Sequence, residues 1–144
     1  MASISQRQIA YATTLLASAT KIASGNSQAT SVDVRDTNAG IIFELDVTAA
    51  ATLVGDTLDV AIQTTVDGTN WVDVVAFTQV LGNGGTKRFY AKVSATEPQA
   101  MFADATALTA GNLRHLIGDQ WVVKWTIVNN SAPSFTFSVT AIPI

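Results

Sequence analysis

Apolar and polar residues alternate with a period of two along several stretches of this chain, and that period is typical of β-strands with one buried face. The clearest stretch covers residues 41–48, where the odd positions hold Ile, Phe, Leu and Val and the even positions are mostly polar. The same alternation recurs over residues 58–66, 121–128 and 135–141. We therefore predict four half-buried strands at these positions.

Weaker patterns between turn-forming clusters indicate further strands. We expect them over residues 13–23, 29–34, 71–80, 87–93 and 113–117. The 71–80 stretch has apolar residues at both odd and even positions, so we expect it to be covered on both faces. Residues 94–112 lack strand periodicity and are rich in alanine. They are predicted to form a long connection, with one helical turn over residues 99–107.

Seven to nine short strands separated by turns predict an all-β fold. A chain of 144 residues has the usual length of one domain. We expect a single antiparallel β-sandwich, or jelly-roll-like domain, over residues 13–144. Residues 1–12 are polar at their start and are predicted to form a flexible N-terminal arm.

Composition and charge exclude several classes of function. The chain has no cysteine, which rules out disulfides, thiolate metal sites and a cysteine nucleophile, and it has one histidine. The net charge of −3 argues against nucleic acid as a main partner. No apolar run approaches the roughly 18 residues that span a bilayer, and the N-terminus lacks the pattern of a signal peptide. We expect a product made in the cytoplasm, with no membrane partner.

Carboxylates are the first candidates for chemistry. Glu44 and Asp46 are two residues apart on a predicted strand and share a face, which we interpret as a solvated face or an interface. Asp59, Asp67 and Asp73 could meet across a hairpin and supply oxygen ligands to Ca²⁺, but their spacing is not that of an EF-hand loop. We therefore expect no metal site.

Other catalytic patterns are weak. The sequence has no nucleophile-elbow motif for which His115 could act as general base, and we interpret His115 as a partly buried or interface residue. The glycine-rich residues 82–85 lack the Lys-Ser/Thr of a phosphate loop and are predicted to form a hairpin tip. The Asp67–Trp71 turn has a glycine suited to positive φ and a tryptophan that anchors the returning strand, although an exposed tryptophan can also stack on a sugar. No catalytic residue or cofactor is expected.

Four short patterns occur in a fixed order. The first three are a Leu-Asp-Val strand at residues 58–60, a Thr-x-Asp-Gly-x-x-Trp turn at 65–71 and a Phe-Thr-Gln strand end at 77–79. The fourth is a closing hairpin, with Trp-Thr at 125–126 and Ser-Phe-Thr-Phe-Ser-Val at 134–139. In this combination the chain resembles a group of small virion proteins of tailed phages. The resemblance covers residues 41–142, apart from the 94–112 stretch.

The resemblance implies a non-enzymatic capsid decoration, or cement, protein that binds the outside of the phage head and stabilises the shell. Its partners would be the major capsid protein and further copies of itself, as a homotrimer. Its location would be the exterior of the virion, after synthesis in the host cytoplasm. The residues that we expect to contact the capsid or a neighbouring subunit are Ile4, Arg7, Ile9, Tyr11, Asn83, Gly84, Arg88, Tyr90, Met101, Phe102 and Arg114.

Two other functions fit the same sequence. The chain could be a tail, neck or fibre component of the virion, present in far fewer copies than a decoration protein. It could also be a carbohydrate-binding β-sandwich module, with Trp71, Trp121 or Tyr90 stacking on sugar rings.

Overall fold

The computed structural model describes residues 12–32, 39–50, 53–97, 102 and 107–144. Ten strands lie within them: β1 (Thr13–Lys21), β2 (Gly25–Asn26), β3 (Gly40–Ala50), β4 (Thr57–Thr65), β5 (Trp71–Ala76), β6 (Val80–Leu81), β7 (Lys87–Ser94), β8 (Asn112–Leu113), β9 (Gln120–Val128) and β10 (Phe135–Pro143). In these ranges no helix has the length and hydrophobicity to cross a membrane.

Two antiparallel sheets pack face to face, which confirms the predicted β-sandwich. One sheet has four strands in the order β1-β10-β3-β7, and the other has six strands, with the order β2-β9-β4-β5-β8 and β6 paired to β4. The first long strand therefore pairs with the last, and β2 pairs with β9. With β6 and β8 set aside, the remaining eight strands, which include the two-residue β2, have the nested order of a jelly roll.

Aromatic side chains join the two sheets across the core. Phe43 of β3 lies against Trp121 of β9 with ring centroids 5.0 Å apart, and Trp125 packs edge-on to Phe137 of β10 at 6.0 Å. The indole N–H of Trp125 is satisfied by the carbonyl oxygen of Ala23 at 2.9 Å. Such pairs contribute stability beyond the burial of their area, and their inward positions follow the period-two alternation of their strands.

The predicted strand over residues 71–80 is interrupted. It divides into β5 and β6, and a β-bulge in β5 breaks its alternation. Ile62 pairs with Val75 and Gln63 pairs with Asp73, so Val74 has no partner opposite it on β4. Val74 and Val75 are consequently both buried, although they are adjacent in sequence.

Two other predicted strands are wrong in extent. The strand expected over residues 113–117 is limited to Asn112–Leu113, because the chain leaves β5 after a single further bond from the Arg114 N–H to the carbonyl oxygen of Val74. The strand expected over residues 29–34 is reduced to one bridge between Thr30 and Trp121. Residues 33–34, the predicted arm up to residue 11, and most of the predicted helical turn lie outside the described residues.

Candidate functional site

The predicted contact residues of β7 form a stripe on the outer face of the four-stranded sheet. Arg88 and Tyr90 are exposed and stand opposite Asp46 and Glu44 of β3. The Arg88 guanidinium donates to Asp46 at 3.3 Å, and this hydrogen bond, together with the charge of Asp46, raises the pKa of Arg88. Such an exposed ion pair adds little stability. Glu44 and Asp46 are half-buried on the outer face of this sheet, a position that fits either predicted alternative, a solvated face or an interface.

The remaining predicted contact residues lie elsewhere. Asn83 and Gly84 are in the loop between β6 and β7, where the Gly84 N–H donates to the Leu81 carbonyl oxygen at 2.9 Å. The Arg114 guanidinium lies 4.7 Å from the centre of the Phe102 ring and also donates to the main-chain oxygen of Asp73. These residues thus come from segments of the chain other than the β7 stripe.

Five of the predicted contact residues cannot be placed. Ile4, Arg7, Ile9, Tyr11 and Met101 lie outside the described residues.

A cleft of about 180 Å³ lies on the outer face of the six-stranded sheet. Asp59, Asp73 and Lys124 line it, and residues 107–110 form one wall. Asp73 accepts hydrogen bonds from the side chain of Gln63 at 2.8 Å and from the Leu108 N–H at 3.2 Å. Sequence reasoning missed this cleft because its wall comes from a segment without strand periodicity.

Asp67 does not join the other two aspartates. It closes the turn before β5, where its Oδ1 accepts the backbone N–H groups of Thr69 and Asn70, both at 2.8 Å. These bonds, with one from the Asn70 side chain, hold the pKa of Asp67 well below its ordinary value. Among the described residues no group of three His, Cys, Asp or Glu side chains is arranged to hold a metal ion.

His115 and Trp121 have structural positions. The Nδ1 atom of His115 accepts the Ser94 N–H at 2.9 Å, which ties the connection before β9 to the end of β7; the ring is half-buried, as predicted. Trp121 is only 1% exposed, so the prediction that it could stack on a sugar ring is wrong. Trp71 is half-buried and Tyr90 is exposed.

The two ends of the sandwich differ in chemistry. We call one of them the apolar end; its described loops are residues 22–24, 53–56, 82–86 and 129–134. The only charged side chain in these four segments is Asp56, which has no exposed surface. The exposed large apolar side chains at this end are Ile22, Leu53, Val54, Leu81 and Val128.

The opposite end carries charge on its described loops. Asp67 lies between β4 and β5, and Glu97, Arg114 and Asp119 lie between β7 and β9. One large apolar side chain, Val66, is 71% exposed there, just after β4. The contrast between the ends follows from the loop sequences and from the jelly-roll order, which sends alternate connections to opposite ends.

Hydrogen bonds fix the loops of the apolar end to one another. The Asp56 carboxylate accepts the backbone N–H groups of Asn130 at 2.6 Å and of Ser131 at 3.0 Å, and its main-chain oxygen accepts the Gly82 N–H at 2.8 Å. The Asn130 side chain donates back to the Gly55 oxygen at 2.7 Å. Three loops that are distant in sequence are thereby joined through one buried residue, Asp56, by its carboxylate and its main-chain oxygen.

Comparisons of this chain with models of protein families, with curated proteins and with solved structures find no match.

Proposed function

We propose that this protein is a non-enzymatic structural component of a tailed-phage virion, and specifically a capsid decoration protein that binds the outside of the head and stabilises the shell. Its proposed partners are the major capsid protein and two further copies of itself. The proposal rests on the resemblance of its hairpin segments to small phage virion proteins, and a feature of the fold supports it.

The observation that carries the proposal is where the resembling segments lie in the fold. Residues 58–79 cover β5 and nearly all of β4, and residues 121–142 cover nearly all of β9 and β10. β9, β4 and β5 are consecutive neighbours in one sheet, and the Trp125–Phe137 contact joins β9 to β10 across the core. The resemblance thus concerns one contiguous part of the sandwich rather than isolated hairpins. Jelly rolls are also common in viral shells, although a fold alone does not fix a function.

The test is the copy number of the protein in purified virions of the source phage, measured by quantitative mass spectrometry against the major capsid protein. A decoration protein is expected in a number comparable with that of the capsid protein. A dozen copies or fewer would place the chain in the tail, neck or a fibre. Absence from the particle would overturn the virion proposal.

The cleft favours a second candidate, a carbohydrate-binding module. Asp59 and Lys124 offer an acceptor and a donor on its rim, and jelly rolls are also found among lectins. Asp59 is oriented by the Gln79 side chain at 2.9 Å. Binding on a glycan array that Asp59→Ala abolishes, with the melting temperature unchanged, would support this function. A wild-type protein that binds no glycan would exclude it.

A further inference from the structure

We infer that the apolar end of the sandwich is the surface by which the protein binds an uncharged, apolar area of the capsid shell. The inference rests on the proposed function and adds to it the part of the molecule that makes the contact. Leu53 and Val54 occupy the tip of the turn before β4 and are 69% and 59% exposed. Soluble domains rarely leave such side chains together on a surface unless that surface binds something.

The exposed apolar side chains are arranged by the register of the six-stranded sheet. Leu81 of β6 and Val128 of β9 are the two cross-strand neighbours of Thr57, one on each side of it. Directly paired residues project from the same face of a sheet, so both side chains lie at the outer rim of this end. They flank the strand that begins directly after the Leu53–Asp56 turn.

The charges on the loops indicate what kind of partner surface the apolar end can bind. The described loops of the apolar end expose no charged side chain, and the charges nearest to them are Lys21 and Lys87 on the adjoining strands, whereas the loops of the opposite end expose Asp67, Glu97 and Asp119. Nucleic acid and anionic membranes attract clusters of lysine and arginine, and these loops offer none. The partner surface that fits is an apolar protein surface without charge, because a charge there would lose its hydration without gaining a counter-charge.

Rigidity favours binding by this end. Asp56 joins the β3–β4 loop to the β9–β10 loop through Asn130 and Ser131, and to the β6–β7 loop through Gly82. On the remaining side, the Ser24 hydroxyl accepts the Ile127 N–H at 2.8 Å. Loops that are already fixed lose little conformational entropy when they bind, which improves affinity for a given contact area.

The size of the surface favours a shell over a second copy of the chain. The five exposed side chains of this end are between 46% and 69% exposed, which gives an apolar surface on the order of a few hundred Å², comparable with the largest patch on an ordinary monomer. A stable pair of proteins usually buries about 800 Å² on each partner. A patch smaller than that binds weakly by itself, but on a repetitive lattice several linked copies bind together and the avidity multiplies.

The test is cosedimentation of the purified protein with shells of the source phage assembled without it. The first variant is the double substitution Leu53→Ser/Val54→Ser, and the second is Leu81→Ser/Val128→Ser. The matched control is Val66→Ser, which removes an equally exposed apolar side chain from the opposite end. Melting temperatures and sedimentation velocity are measured for every protein.

We expect each double variant to bind shells at least about tenfold more weakly than the wild type, and Val66→Ser to bind within about twofold of it. If the wild type binds and the double variants bind equally well, the assignment of this end is wrong while the proposed function stands. If the wild type does not bind shells, both fall. A double variant that dissociates a soluble oligomer but binds shells normally would assign this end to a second copy and overturn the inference.

Discussion

The hydroxyl of Ser131 donates a hydrogen bond of 2.7 Å to Oδ2 of Asp56, a carboxylate that has no exposed surface. This bond, with those from the Asn130 and Ser131 backbone, lowers the pKa of Asp56 although burial opposes the shift. The carboxylate is therefore ionised in the folded protein and links two connections that are 75 residues apart. Stability and the shape of the apolar end depend on the same group.

Replacement of this carboxylate should destabilise the protein measurably. Asp56→Ala leaves the N–H groups of Asn130 and Ser131 without their acceptor, and we expect the melting temperature to fall by roughly 5–10 °C. Ser131→Ala removes one donor and retains the two backbone bonds, so its effect should be clearly smaller. Differential scanning calorimetry measures both. Equal melting temperatures for Asp56→Ala and the wild type would show that water replaces the carboxylate at no cost.

Acid should weaken the fold partly through Asp67. Its pKa in the folded protein lies below the ordinary value of 3.8, because the backbone N–H groups of Asn70 and Thr69 donate to its carboxylate. The stabilisation is complete above the unfolded pKa and is lost as the pH falls toward the folded one, since the unfolded chain takes up the proton first. As the pH falls from about 5 to about 2.5, the free energy of unfolding of Asp67→Asn should therefore decrease less than that of the wild type.

Urea unfolding over this pH range provides the measurement for Asp67. Asp119→Asn, at an exposed position in the connection to β9 at the same end of the sandwich, controls for the change in net charge. The same loss of free energy in Asp67→Asn as in the wild type would contradict the role assigned to the turn.

The contact between Phe43 and Trp121 can be measured as a coupling between the sheets. Phe43→Ala should cost roughly 3–5 kcal/mol, because the ring is fully buried and leaves a cavity. A double-mutant cycle with Phe43→Leu and Trp121→Phe should give a coupling of about 0.5–1.5 kcal/mol, the usual range for paired aromatic rings. Additive effects of the two substitutions would mean that the rings stabilise the core by area alone.

Gly40 should not accept a side chain. It begins β3 with φ of +148°, and a Cβ built on it would overlap the carbonyl oxygen of Val93 in β7. We expect Gly40→Ala to cost roughly 2–4 kcal/mol in urea unfolding. Gly85 also has positive φ, but nothing lies within 4 Å of its Cβ position, so Gly85→Ala isolates the cost of the backbone conformation. Similar losses at both glycines would exclude the steric contribution.

Sequence periodicity predicted the strands whose two faces meet different surroundings. In β3, β9 and β10 one face meets the other sheet and the opposite face meets solvent, so a strict alternation records the direction of each side chain. The outward stripe of Arg88 and Tyr90 on β7 was predictable for the same reason. The local sequence pattern is sufficient to predict a strand where successive side chains alternate between the core and solvent.

Features that depend on distant parts of the chain were not predictable in this way. The bulge at Val74 depends on the register between β4 and β5, and both of its valines look ordinary in sequence. The end of β8 depends on where residues 114–118 cross toward β7, which the local pattern does not contain. The apolar end is assembled from four loops that meet only because of the jelly-roll order, so each of its exposed side chains appears in the sequence as an isolated residue.

The position of β10 between β1 and β3 has a consequence for synthesis on the ribosome. Among the described strands of its sheet β1 pairs only with β10, and Thr13 pairs with Ala141. The four-stranded sheet therefore cannot be completed until β10 (Phe135–Pro143) has been translated, long after β1. Such long-range pairing gives slow folding, and it leaves the nascent chain with open strand edges until β10 has been made.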